Sequence, residues 1–522
     1  MPLTDWIKLA FILPAFFVLG PLLGLAVRGK AKAQRWLFGL MCFMTINGLL
    51  AAGNWGLTLD SVEIYRGHAR GYHFYFNHIF AIALMVAKWK EDPKSFRWVP
   101  PGMFLYALFI AACTLSLVNA PRVDYALMAV HKMIFFALIG IASFNYVRTI
   151  EDIRFFIVLM SGTLVWEALV VLKMKYVQHI YQVPGTFEHQ NALAMYTILI
   201  AMPVLAAGLG PKFRGQGWCI AGFLASAAII QGTLSRGAMV IFAGGVALVS
   251  AASLMEKPTK RRFGILTVFS VIAALGLAFT LKTIINRFHD KGNEASGELR
   301  EVLNEASRQM EDAHPLGIGW NNYALVINAP YPYANVVYDW LRKRDQKVDY
   351  NLTNGVVESH YYLLIAENGY PGLITWLMVI GVALWRNLRG FMGFRHSFER
   401  CVCMGIMVGA ILNYAQSTLE RTLTQPRNLM LWLILYAITG RLELIRRARA
   451  KSGGAPEDSH LTPGRSSFLT GPPRPAAWPS PEGWKTAQTL MEGRGGTLFH
   501  RMRRRGSQLL RRNNETLKAR GY

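Results

Sequence analysis

The stretch Val357–Trp385, VESHYYLLIAENGYPGLITWLMVIGVALW, is apolar enough over most of its length to cross a membrane. Yet it opens on His360, carries Glu367 and Asn368, and is broken by Gly369-Tyr370-Pro371-Gly372. Titratable groups in such a segment are costly, though a His at a membrane interface is more often a hydrogen-bonded structural residue than a base. Whether this stretch is a membrane span depends on the rest of the chain. Of the 522 residues, 52% are hydrophobic and only 17% are charged. The apolar residues fall in blocks of roughly 20, the length that crosses a hydrocarbon core of about 30 Å. A soluble chain would alternate shorter apolar and polar stretches.

The reading is therefore an all-α polytopic membrane protein with about 12–13 transmembrane helices and one large extracytoplasmic loop. Candidate spans are 7–27, 36–53, 73–88, 101–119, 125–147, 155–177, 191–209, 218–235, 238–255, 263–283, 360–385, 401–417 and 428–445. The first block is too long for the core of a cleavable signal peptide and lacks a basic leader. Lys and Arg crowd the loops at 28–35, 88–100, 148–154, 211–217, 256–262 and 386–400, and are sparse at 54–72, 120–124, 178–190, 236–237 and 418–427. Positively charged loops stay in the cytoplasm, so the second set and the long segment 284–359 face out.

Four regions follow. Residues 1–283 and 360–445 are membrane helices, 284–359 is a large periplasmic loop, and 446–522 is a disordered basic cytoplasmic tail. Of the net charge of +25, much comes from that tail, which is rich in Pro, Gly, Ser and Arg. A cytoplasmic basic segment lies beside anionic lipid, so membrane lipids are the expected partner and nucleic acid is not. The five cysteines sit in or at the ends of spans, without metal-binding or disulfide spacing. In the loop, Leu299, Val302, Leu303, Ala306 and Met310 recur at helical spacing. Ser296 is placed to cap that helix, and Pro315 and Gly317 to end it. Arg300 and Arg308 then project from other faces.

Charged residues are scarce on the outer side, which makes the few informative. Arg236 sits between two apolar spans with almost no loop around it. It is either an interfacial anchor snorkelling to water or a site for an anionic head group, which the small neighbours Ser235 and Gly237 would let approach. His189, Gln190 and Asn191 open the span at 191–209, as a cap or as substrate-binding groups. His360 and Glu367 are seven residues apart, nearly one helical face. Arginine binds phosphate oxygens through a planar fork, and histidine can take a proton from an attacking hydroxyl. The chain has no D-x-D, no phosphate-binding Gly-Lys loop, no H-E-x-x-H and no G-x-S-x-G, which argues against ATP-driven transport and hydrolase chemistry.

GTFEHQN (185–191), LSRGA (234–238), SGELREVLNEASRQMEDAHPLGIGWNNY (296–323) and ESHYYLLIAENGYPGL (358–373), in that order around one long outer loop, resemble the O-antigen ligase and polymerase superfamily. The resemblance covers roughly 185–385. It implies a metal-independent transferase without a cofactor, in the bacterial inner membrane, with its active site facing the periplasm. The implied donor is a glycan on undecaprenyl pyrophosphate; the acceptor is a sugar hydroxyl on lipid A-core, a growing polymer or, in some relatives, a protein Ser or Thr. By position it makes Arg236, Arg300 and His360 catalytic, with His189, Asn191 and Glu367 binding substrate. Ligases show His followed by Asn, Ser or Gln and a Gly eleven residues on; here Tyr361 follows His360 and Gly369 comes nine on. Ligase and repeat-unit polymerase share donor chemistry, and both stay open at this point. A polysaccharide transporter is disfavoured by the missing internal repeat and by polar residues gathered at the surface rather than the midplane.

Overall fold

A computed structural model describes residues 3–46, 55–58, 65–271, 274, 292–350, 353–421 and 425–451. The end of the expected 36–53 span, most of the second half of the 263–283 span, and the tail from 452 onward lie outside them. The helices are α1 (Leu3–Pro14), α2 (Gly20–Ala26), α3 (Ala31–Phe43), α4 (Phe76–Glu91), α5 (Met103–Thr114), α6 (Val123–Tyr146), α7 (Ile150–Leu172), α8 (Gln190–Leu209), α9 (Gln216–Thr233), α10 (Arg236–Glu256), α11 (Gly292–Ala313), α12 (Tyr323–Val326), α13 (Ala334–Lys343), α14 (His360–Gly393), α15 (Phe398–Gln416) and α16 (Pro426–Lys451).

The all-α polytopic class holds. Eight helices among the described residues are long and apolar enough to span a membrane. Several of the other expected spans fall on shorter or less apolar helices, among them α3, α4, α5 and α9. Trp6, Phe11, Phe17, Phe104, Val240 and Leu248 stand exposed on their helices. Such a display of large apolar groups is a liability in water and a natural lipid-facing surface in a bilayer. By contrast α8 is buried along its whole apolar length and packs on α9, α10 and α15. It is the centre of the bundle. One short antiparallel hairpin, β1 (Trp55–Thr58) with β2 (Gly71–Phe74), was not expected; it pairs Trp55 with Phe74 and Thr58 with Gly71. All five cysteines are buried and free.

In the 292–350 segment, α11 buries Leu303, Ala306 and Met310, as the periodicity predicts. It begins at Gly292, so Ser296 lies a turn inside it rather than at its start. After α11 the chain turns through Pro315-Leu316-Gly317-Ile318-Gly319 and docks on α14 where that helix breaks. Gly369 there has φ 61° and ψ −166°, outside helical geometry. The break frees carbonyls that a membrane protein cannot leave unpaired away from water. Ile318 N–H donates to Ala366 O at 2.9 Å and Gly319 N–H to Glu367 O at 3.1 Å, while Tyr370 N–H donates to Pro315 O at 3.1 Å. A Cβ on Gly369 would lie 2.1 Å from Pro315 O, and one on Gly317 2.3 Å from Glu367 O. Both glycines are required for this close approach, and both have positive φ. The expected bend at Gly369 is thus present, and the chain's own 315–319 segment fills it.

Candidate functional site: an outer cleft and an inner cavity

The turn before α8 is set by an acid inside α7. Glu167 accepts the Thr186 N–H at 2.7 Å and the Thr186 hydroxyl at 3.0 Å, and Arg427 donates to Thr186 O at 2.5 Å. Held this way, the chain presents His189 at the helix cap, where its Nδ1 accepts the Asn191 N–H at 3.2 Å. Leu234, in the left-handed region at φ 50°, ends α9 and lets α10 begin directly at Arg236. A Cβ on Gly237 would sit 3.2 Å from the Gln416 amide nitrogen, so α10 and α15 meet closely here.

The late span is tied to the same end. Ser359 caps α14 by accepting the Tyr362 N–H, and His360 N–H donates to Ser417 O at 2.8 Å. That bond joins the start of α14 to the turn after α15, which carries Glu420 and Arg421. Arg300 on α11 reaches both strands of this junction. Its Nε donates to Glu358 Oε2, and its Nη2 lies 3.6 Å from Glu420 Oε1. The Asn191 amide donates to the same Glu420.

The result is a cleft of about 750 Å³ whose lining includes Arg236, Arg300, His189, Asn191, Glu358 and Glu420. Burial, reinforced by the charge of Glu358, pushes Glu420 up to about 7. Burial also lowers His189 from its ordinary value, opposed by Glu358. Arginine forks beside carboxylates that can exchange partners suit an anionic group entering from outside.

His360 and Glu367 lie elsewhere. They line an inner cavity with His68, Lys132, Asn368, Trp320 and Trp376. The expected shared face is real, since both side chains reach this one space. The expected assembly of His360 with Arg236 and Arg300 in one pocket is not formed. His360 is 6% exposed, its ring stands edge-on to Trp376 at 5.8 Å, and among the described residues neither ring nitrogen has a hydrogen-bond partner. The reason is local: the extended cap residue Ser359 stands between Glu358, before the helix, and His360, the first residue of α14. Glu367 accepts the Tyr323 N–H at 3.2 Å and lies 3.4 Å from His68 Nε2, holding the outer segment to the helix break. Burial lowers His68, while Glu367 opposes that shift. Lys132 donates to His68 O at 3.0 Å. Arg421 interacts electrostatically with Glu358 and Glu420 of the cleft and with Glu367 of the cavity.

Sequence reasoning therefore found Arg236, Arg300, His189 and Asn191 together, and missed Glu358, Glu420, His68 and Lys132. Two signals were available. Counting eleven residues back from Gly369 lands on Glu358, not on His360. The scarcity of outer charge that singles out Arg236 applies equally to Glu420 and Arg421.

The fold and cleft define a polytopic membrane protein with an arginine-lined cleft at one end of its helices. Residues 221–377 match the family model described as O-Antigen ligase (Wzy_C), a stretch holding Arg236, Arg300, Glu358, His360 and Glu367. The match assigns this segment to the O-antigen ligase and polymerase superfamily. Among curated proteins no match was found.

Proposed function

We propose that the protein is a membrane glycosyltransferase that moves a glycan from an undecaprenyl pyrophosphate donor to an acceptor hydroxyl at the outer face of the inner membrane. The observation that carries this reading is the convergence of Arg236 and Arg300, from separate outer segments, on one cleft at the membrane end of α8, α10 and α14. Two guanidinium forks suit a pyrophosphate, whose bridging oxygen gains charge as the glycosidic bond breaks; donors aimed at such developing charge are typically the largest catalytic contribution. The outward orientation is supported by the Lys and Arg loop distribution, which puts all the cleft-lining segments on the side poor in basic loops. His189 and Asn191 then contact the donor or acceptor sugar at the rim, and Glu367 acts by holding the outer segment in place.

The test is a deletion strain carrying wild-type or Arg236→Ala protein, with analysis of surface glycans and of the lipid carrier. Glycan left on the lipid carrier in the Arg236→Ala strain is the expected result. If long polymer vanishes while single repeats still reach the surface, the activity is repeat-unit polymerisation. If surface glycans and carrier are unchanged, the transferase reading is lost. Transfer measured in isolated membranes with EDTA present tests whether a metal is needed.

A further inference from the structure

The cleft that holds the two arginines contains two carboxylates and a histidine, whereas His360 faces the inner cavity. We infer that the Glu358 carboxylate, rather than the His360 ring, takes the proton from the attacking hydroxyl. This rests on the transferase reading above.

A base must reach the hydroxyl it deprotonates while that hydroxyl is held against the anomeric carbon. The leaving pyrophosphate is held by Arg236 and Arg300, so the base must lie beside them. Glu358 touches Arg300 directly and is 40% exposed, against 13% for Glu420. Glu420 already accepts from Asn191 and faces Arg300 from the other side, which leaves it less reach toward a substrate. His189 uses Nδ1 to cap α8. Glu358 is also rigidly carried: Val357 before it is fully buried, and the His360 N–H bond to Ser417 O fixes the backbone just after it.

In the structure Arg300 is paired with Glu358. A half-exposed pair of this kind holds its partners together only weakly. An entering pyrophosphate offers Arg300 a more highly charged, bidentate partner. When Arg300 turns to it, Glu358 is freed beside the acceptor. In the step itself the hydroxyl oxygen bonds to the anomeric carbon. The bond from that carbon to the pyrophosphate oxygen breaks, and its electron pair leaves with the prenyl pyrophosphate. The hydroxyl proton passes to a Glu358 oxygen and then to water. Glu420, whose carboxyl lies near 7, stays partly protonated and limits repulsion between the two acids. The charged and titratable groups facing Glu358 are Arg300, Glu420, Arg421 and His189.

The experiment uses membranes of the source cells lacking the native chain and supplemented with full-length variants. Lipid-linked glycan extracted from those cells is the donor, and release of free prenyl pyrophosphate is followed. Glu358→Gln is expected to lower kcat by about 10²–10³-fold with donor KM changed little, the usual scale for loss of a positioned base. The acidic limb of its pH–rate profile is expected to disappear. Glu358→Ala is expected to regain activity with added formate, which replaces a missing carboxylate base and not a missing structural contact. His360→Gln is expected to lose less than tenfold. Glu358→Gln turning over within fivefold of wild type overturns the inference, as does a larger loss at Glu420→Gln or His360→Gln than at Glu358→Gln. Loss in Glu358→Ala that formate leaves untouched reduces Glu358 to a holder of Arg300 and equally overturns it. Wild-type membranes that release no prenyl pyrophosphate overturn the transferase reading itself, and the base assignment with it.

Discussion

The outer cleft and the inner cavity are built from the same stretch of chain and have opposite characters. Glu358 stands in the first among two arginines, a second carboxylate and half-exposed polar side chains. His360, two residues later, stands in the second among Trp320, Trp376, Phe109 and leucines, with Glu367 only 2% exposed. Arg300 and Glu358 of the cleft stay near water, so they can trade protein partners for a ligand at low cost. Polar groups in the cavity are locked to the backbone and to each other, as the His68–Glu367 contact and the Lys132 bond to His68 O illustrate. Breaking one partner of such a buried set costs more than it does at a surface. On the proposed function, the difference separates groups arranged for binding and transfer from groups that hold the 315–323 segment onto the helix break.

If that contrast is right, the largest effects come from the cleft arginines. Arg236→Lys and Arg300→Lys keep charge but lose the fork, and each is expected to cut transfer by about 10²-fold or more in the membrane assay, on the scale of losing one charge-stabilising donor. Normal turnover in both Lys variants would break the comparison at its base.

Gly369→Ala attacks the cavity side. The new Cβ meets Pro315 O at 2.1 Å and the residue must hold φ 61°, so the outer segment has to lift from the helix break. A loss of about 1–3 kcal/mol is expected from the backbone strain alone, read as a lowered midpoint of thermal unfolding in detergent. Activity falls with it, because α11 carries Arg300. An unchanged melting temperature would show that the docking seen at 315–319 contributes nothing.

A smaller effect sharpens the cleft's electrostatics. Burial pushes Glu420 up to about 7 in the folded protein, above the ordinary carboxylate value of 4.5. A carboxyl raised on folding binds more protons in the native state than unfolded between those values, so stability falls as pH rises from about 4.5 through about 7. Glu420→Gln is expected to flatten that fall when unfolding is followed from pH 5 to pH 8. An identical slope in the variant would remove Glu420 as the source. The smallest expected effect is from deleting 452–522: transfer is expected to stay within about twofold, since the basic tail is proposed to contribute lipid contact rather than chemistry. A truncated protein that inserts normally and is inactive would contradict this.

Much of the molecule was legible in its sequence because the bilayer simplifies the problem. Blocks of apolar residues at span length, basic loops on one side and few charges on the other are one-dimensional signals, and they led to the helical class and to Arg236, Arg300, His189 and Asn191. The periodic apolar face of α11 was equally legible, because a helix shows its buried side in residue spacing alone. What spacing cannot show is how one chain segment distributes its side chains across a turn. Glu358 and His360 are neighbours in sequence, and only the cap at Ser359, the bond from His360 N–H to Ser417 O, and the docking of 315–319 on the broken helix send one to the cleft and the other inward. Glu420 and His68 join these sites from segments distant in sequence, through contacts between helices. The helical pattern was determined locally, by hydrophobic length and period; the division of polar groups between two cavities was decided by tertiary contacts, because only those contacts satisfy the backbone that the Gly369 break leaves open.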